Sequence, residues 1–206
     1  MNRYGWKGQS QPLSCNYIVP AVIRLLGAPS ERKVLDLGSG NGVLCRELDR
    51  LGFSVAGVEP SPDGWLAATE ASPSIPFYNL SVDDCPDEIV ASEGLFDVVV
   101  STEVVEHLYA PHLLSRFAWQ CLKPGGSLIV STPYHGYLKN LAIAVLGNWD
   151  NHHTSLWCGG HIKFWSRQTL VKLLEDEGFS FGSFHGIGRL PWFWKSMILV
   201  VSKPAA

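Results

Sequence analysis

The chain has 206 residues, a size that suits one domain with a substantial core. Sixteen Lys and Arg against 19 Asp and Glu leave a net charge of −3, with no basic footprint for nucleic acid. Cys15, Cys45, Cys85, Cys121 and Cys158 are odd in number, far apart and without C-x-x-C, so reduced thiols in a cytoplasmic protein are expected rather than a disulfide framework.

No repeat, low-complexity tract or linker breaks the chain, so residues 1–206 read as a single domain with an insertion at about 134–165. Residues 1–13 are polar, with Tyr4 and Trp6, and read as a mobile segment or lid. Ile18, Val22, Leu25 and Leu26 form a helical stripe with Pro20 near its first turn and Gly27 at its end. A strand at 33–37 meets Gly38-Ser39-Gly40-Asn41-Gly42, and a helix follows with Leu44, Leu48 and Leu51 on one face, stopped by Gly52. A strand at 54–58 leads to Glu59-Pro60, a helix at 62–72 and a short strand at 77–80. Residues 97–101 form the next strand, Pro111 opens a helix over Leu113 to Cys121, and 127–132 is a fifth strand. Ser166 reads as the N-cap of a helix carrying Leu170, Leu173 and Leu174 and closed by Gly178; strands at 179–184 and 196–201 follow. Strands alternating with helices in this way give a doubly wound α/β sheet with helices on both faces.

The turn after the first strand carries the chemistry. Three glycines at alternate positions let a small cofactor lie on the backbone, with amide N–H groups expected free for an anionic group. The spacing is G-x-G-x-G, not the G-x-G-x-x-G of dinucleotide folds, and Asp36 precedes the first glycine by two residues. A carboxylate there repels a pyrophosphate and attracts an ammonium or sulfonium group, which S-adenosylmethionine provides. Glu59, at the end of the second strand, suits a ribose diol, because a carboxylate accepts two hydrogen bonds from vicinal hydroxyls.

With that turn, Phe96-Asp97-Val98-Val99-Val100-Ser101-Thr102-Glu103-Val104-Val105-Glu106-His107 and Leu122-Lys123-Pro124-Gly125-Gly126-Ser127-Leu128-Ile129-Val130-Ser131-Thr132-Pro133, the chain resembles the class I S-adenosylmethionine-dependent methyltransferases. The resemblance implies a Rossmann-like seven-stranded sheet of order 3-2-1-4-5-7-6 with the seventh strand antiparallel. It also implies cofactor contacts at Asp36, Gly38, Ser39, Gly40, Gly42, Glu59, Pro60, Ser101 and Thr102, with adenine near Ser81, Val82 and Asp83.

Glu103, Glu106 and His107 have i, i+3, i+4 spacing, which an α-helix would gather on one side. His161 follows the flexible Gly159-Gly160 pair in the insertion, among Tyr134, His135, His152 and His153 and several tryptophans. His152 and His153 are expected to face solvent or substrate, whereas His112 and His185 take no role. The closest family look is to the quinone-biosynthesis O-methyltransferases, over residues 34–180; the arginine-bearing N-terminal segment of that group is not evident. The resemblance implies two uses for Glu103, Glu106, His107 and His161: ligands of a divalent metal such as Mg²⁺, or a hydrogen-bonded set in which His107 or His161 is the catalytic proton acceptor.

Methylation of a hydroxyl on a small aromatic or lipid-like, quinone-type molecule is therefore expected. A metal-dependent RNA 2′-O-methyltransferase predicts a basic surface that the composition does not supply, and a non-catalytic S-adenosylmethionine-binding module predicts degraded motifs, which are intact. The chain starts without a charged-then-apolar signal pattern, and no apolar run reaches the ~18 residues of a membrane span. Residues 141–147 are apolar and read as a buried lid helix, with peripheral membrane contact as the other reading.

Overall fold

A computed structural model of the chain describes residues 13–29, 32–153, 156 and 159–205. The N-terminal lid expectation falls almost wholly on residues 1–12, outside the described residues, as do Trp157 and Cys158. The elements in chain order are α1 (Cys15–Leu26), β1 (Lys33–Leu37), α2 (Val43–Arg50), β2 (Ser54–Val58), α3 (Pro62–Ala71), β3 (Phe77–Tyr78), α4 (Asp87–Glu93), β4 (Phe96–Thr102), α5 (His112–Cys121), β5 (Leu122–Pro133), α6 (Tyr137–Val145), α7 (Trp149–His153), α8 (Arg167–Asp176), β6 (Ser180–Ile187) and β7 (Ser196–Ser202).

The seven strands form one sheet of order β3-β2-β1-β4-β5-β7-β6, as the resemblance implied. Strands β1 to β5 pair in parallel, and β7 runs antiparallel to both β5 and β6. Parallel strands with both faces covered read as continuous apolar runs, and Val98-Val99-Val100 and Leu128-Ile129-Val130 do so here. Ile18, Val22 and Leu26 of α1 pack with Leu44, Cys45 and Leu48 of α2 on one face. Ile89 of α4, Leu114 and Phe117 of α5, and Leu170 and Leu174 of α8 cover the other.

The sheet reverses order between β1 and β4, so the carboxyl ends of β1, β2 and β4 open onto one crevice. Ser166 closes a capping box with Thr169 at the start of α8, the role expected of it. Strands β4 and β5 exceed their expected ends by a residue or more, and β3 is shorter than 77–80.

Two expectations fail. Residues 103–107 are not an α-helix: β4 runs through Thr102, Glu103 adopts φ 54°, and only Val105–His107 forms a single 3-10 turn. The left-handed residue breaks the i, i+3, i+4 geometry, and Glu103 leaves the side on which Glu106 and His107 lie. Residues 141–147 do enter a helix, but not a buried one. Lys139 is the buried residue of α6, and Tyr137, Leu141 and Val145 face outward.

Candidate active site

A cavity of about 920 Å³ lies over the crevice. Its walls include Asp36, Gly38, Ser39, Gly40, Glu59, Pro60, Ser81, Asp83 and Thr102, and at its far end Glu103, His107 and His161. Gly42, Val82 and Ser101, expected to contact the cofactor, do not line it. Gly42 sits at φ 76° where an added Cβ would meet Phe77 and Ala68. Val82 packs on the core, and the Ser101 hydroxyl donates 2.8 Å to the Leu37 carbonyl, tying β4 to β1. Ser14, Cys15, Ile18 and Val19 of the α1 end also line the cavity. Their sequence signal was present, since Ile18 opens the α1 stripe, but nothing local showed that the stripe ends over the cofactor turn.

Several amides of the glycine turn are engaged within the protein. The N–H groups of Gly38 and Ser39 both donate to the Val58 carbonyl, at 2.8 and 2.9 Å, and Gly40 N–H donates 2.8 Å to Glu59 Oε2. Gly42 N–H closes the turn on the Ser39 carbonyl. The N–H groups of Gly38, Ser39 and Gly40 are thus already used to lock the turn to β2 and the residue that follows it. At Gly38, φ is 86° and a Cβ would lie 2.4 Å from Val104 Cγ2, so only glycine fits.

Asp36 is 1% exposed. The Cys45 thiol donates to its Oδ2 across 3.4 Å, while Oδ1 has no hydrogen-bond partner among the described residues. Burial pushes this carboxyl up to about 7 despite the thiol, and the nearby Glu59 charge adds to the rise. An unpaired buried acceptor is costly unless a ligand satisfies it. Glu59 takes N–H donors from Gly40 and from Ser61, the latter at 2.9 Å, one on each carboxylate oxygen. That fixes its orientation and leaves each oxygen a second lone pair for a diol. Asn79 holds the 59–60 turn through the Glu59 and Pro60 carbonyls.

At the other end, Glu106 is held from three directions. Thr132 Oγ1 donates 3.0 Å to its Oε2, and its carbonyl accepts from Ile162 and Lys163 N–H, which ties the insertion to the 3-10 turn. Its Oε1 is buried, has no hydrogen-bond partner among the described residues, and lies 3.9 Å from His107 Nε2 and 4.0 Å from His161 Nε2. The two imidazole rings meet edge-on at 4.9 Å, and His107 Nδ1 contacts the Gly160 carbonyl at 3.2 Å. Burial lowers both histidines, His161 to about 4, and raises Glu106 well above the usual carboxylate range with the Glu103 charge adding. Ligand atoms of Glu106, His107 and His161 all lie within 4.8 Å of one another.

Glu103 does not join that trio. Its Oε1 accepts from Ser131 Oγ at 2.9 Å and its Oε2 from Ser196 Oγ at 3.2 Å, on β5 and β7. Burial is the main reason its carboxyl rises to about 7. His153 stacks against His135 at 5.7 Å and lies 4.2 Å from the Trp149 ring, so it belongs to an aromatic cluster of the insertion rather than to solvent.

The methyltransferase domain family model matches residues 14–181. The chain belongs to the class I S-adenosylmethionine-dependent methyltransferases. It is 34% identical over 182 residues to the ubiquinone biosynthesis O-methyltransferase of Bradyrhizobium diazoefficiens, covering 81% of this chain and 68% of that one. It is 32% identical over 178 residues to the mitochondrial ubiquinone biosynthesis O-methyltransferase of Mus musculus, covering 80% of this chain and 47% of the mouse protein. The chain thus spans about half the length of its mammalian relatives, as the 50% for Rattus norvegicus repeats. Among solved structures, a methyltransferase fold from Bacillus halodurans superposes with TM-score 0.70 at 15% identity, covering 91% of this chain and 99% of that one. The magnesium protoporphyrin IX methyltransferase of Synechocystis, solved with bound S-adenosylhomocysteine, gives TM-score 0.62 at 20% identity, covering 90% and 80%. For this methyltransferase, the orphaned Asp36 Oδ1 and the side-chain-free Gly38 wall fit S-adenosylmethionine.

Proposed function

We propose that the protein methylates a hydroxyl oxygen of a small aromatic or lipid-like acceptor of quinone type, with Glu106, His107 and His161 as a divalent-metal site beside that oxygen. One observation carries the reading: the buried Glu106 Oε1, without a hydrogen-bond partner among the described residues, faces two imidazole nitrogens at the end of the cavity that Asp36 and Glu59 open. The relatives named as ubiquinone biosynthesis O-methyltransferases support the acceptor class.

Asp36 would pair with the cofactor's cationic amino-acid end, Glu59 would hold its ribose, and Ser81 and Asp83 would meet its adenine. That seating would turn the methyl group toward the end lined by Thr102, Glu103, His107, Leu108 and His161, where an acceptor could be held for transfer. A divalent ion held by the trio would act as a Lewis acid that lowers the acceptor hydroxyl's pKa. His161 suits ligation better than base catalysis: a nitrogen lowered to about 4 by burial stays neutral at pH 7 but draws a hydroxyl proton only weakly, and burial lowers His107 in the same direction.

The test supplies methyl-labelled S-adenosylmethionine with a catechol, a prenylated catechol and a short RNA, with chelator and with added Mg²⁺. Label on a catechol oxygen, lost with chelator and restored by Mg²⁺, is the expected result. Label on the RNA ribose, or none on either catechol, would overturn the acceptor class.

A further inference from the structure

Cys45 stands in the first turn of α2, fully buried in the cluster that holds Ile18, Val22, Leu44 and Leu48. Its neighbours in that cluster are apolar, and packing alone makes no demand for a thiol there. One contact is polar: the thiol donates to Asp36 Oδ2 across 3.4 Å. Burial and the Asp36 charge both push this thiol well above the ordinary range, so it stays protonated and remains the donor near neutral pH. The bond joins α2 to the carboxyl end of β1 and fixes which way the carboxyl group turns. Asp36 lines the cavity, and its other oxygen, Oδ1, has no hydrogen-bond partner among the described residues.

We infer that Cys45 is a positioning residue for cofactor capture: its thiol holds Asp36 Oδ2 and so leaves Oδ1 for the cofactor's ammonium group. The inference rests on the reading of Asp36 as the partner of that ammonium. Sulfur sets the strength of the hold. A thiol is a weak donor, a hydroxyl is a stronger one, and a methyl group is none. A strong donor would stabilise the carboxylate before any ligand arrives, whereas a weak one orients the group and leaves its need for a cation largely unmet. The carboxyl, raised to about 7 by burial and held down only in part by the thiol, is mostly protonated in the ligand-free protein below that pH. Capture of the ammonium then ionises it, and its proton passes to the buffer.

The groups that could share this titration come from each element packed on Asp36. Cys45 faces it from α2, Glu59 from the end of β2 and Cys15 from α1. Arg46, next along α2, reaches Cys45 and donates 2.7 Å to the Asn41 carbonyl, while Glu103, beyond β4, reaches Cys15. Gly57 and Val100, which flank Asp36 on β2 and β4, carry no charge. Substituting Cys45 changes only one member of this set.

The test is calorimetric titration of S-adenosylhomocysteine between about pH 5 and about pH 8, in two buffers of different ionisation enthalpy. It compares wild type with Cys45→Ser, Cys45→Ala and Asp36→Asn. Both Cys45 variants remove volume from the core and should melt lower than wild type. Their pH profiles should nevertheless move apart. The midpoint of rising affinity should fall by about half to one unit in Cys45→Ser and rise by as much in Cys45→Ala. Below the midpoint, affinity should therefore be about three- to tenfold above wild type in the first and below it in the second. Wild type should release close to one proton on binding near about pH 6, and Asp36→Asn much less. Midpoints that stay in place, or move the same way in both Cys45 variants while Asp36→Asn still weakens binding, would overturn the inference and leave Cys45 as core packing. Wild-type affinity in Asp36→Asn would overturn the reading of Asp36 itself, and the inference with it.

Discussion

The two ends of the cavity are built differently. Around Asp36 and Glu59 the geometry is set by backbone: amides of the glycine turn bond β2, and Glu59 is clamped by two main-chain donors. Around Glu106 and His161 it is set by side chains on a single 3-10 turn and an insertion, whose Ile162 and Lys163 N–H groups donate to the Glu106 carbonyl. A backbone-built site depends little on side-chain identity beyond the glycines and the two acids. A side-chain-built site changes with each residue, so under the proposed function discrimination among acceptors would fall to the other end.

The largest expected effect falls on the backbone-built end. Gly38→Ala forces a Cβ to within 2.4 Å of Val104 Cγ2 at φ 86°. Overpacking and the left-handed backbone together should cost about 2–4 kcal/mol in denaturant unfolding, and S-adenosylhomocysteine binding should fall with it. A variant of wild-type stability would show that the turn is more pliable than its bonding implies. Asp36→Asn should weaken S-adenosylhomocysteine binding in calorimetry by about 10–100-fold, as expected for losing a hydrogen bond to a charged group, yet leave the ligand-free protein as stable or more so. Loss of stability without loss of affinity would make Asp36 a core residue only.

Asp36 also sets a pH dependence of opposite sign for the two states. Its folded carboxyl titrates near 7, above the ordinary 3.8, so the folded chain holds a proton that the unfolded chain has released between about pH 4 and 7. Its contribution to ligand-free stability therefore falls as pH rises through that window and then levels. Affinity for the ligand's ammonium needs the carboxylate and should rise over the approach to pH 7, by at most about tenfold per unit. Asp36→Asn should flatten both curves, which thermal melts and calorimetry across pH would show. The smallest effect is Ser166→Ala, which opens the capping box where the insertion leads into α8. It should cost about 1 kcal/mol in denaturant unfolding and leave cofactor affinity unchanged.

The same contrast governs what could be read from the residues. Strands β1, β2 and β4 and the turn at Gly38 were legible because buried parallel strands and positive-φ glycines leave local marks. Helix α4 was missed although Asp87 and Glu88 stand in its first turn and Gly94, at φ 74°, ends it. The acceptor end was legible in composition but not in arrangement. Nothing local marks Glu103 as left-handed, and that one backbone angle turns an apparent four-residue cluster into a trio plus a separate carboxylate. Nor does apolar content say which way a helix faces; in α6 the partners of Lys139 at Tyr134 and Lys195 decide it.

The central claim is that Glu106, His107 and His161 hold a divalent ion beside the acceptor. The direct measurement is calorimetric titration of Mg²⁺ or Mn²⁺ into chelator-stripped protein loaded with S-adenosylhomocysteine, for wild type, His161→Ala and Glu106→Gln. One saturable site in wild type, lost in both variants while S-adenosylhomocysteine still binds, is the predicted result. Absence of metal binding in wild type, or binding unchanged in the variants, would contradict it.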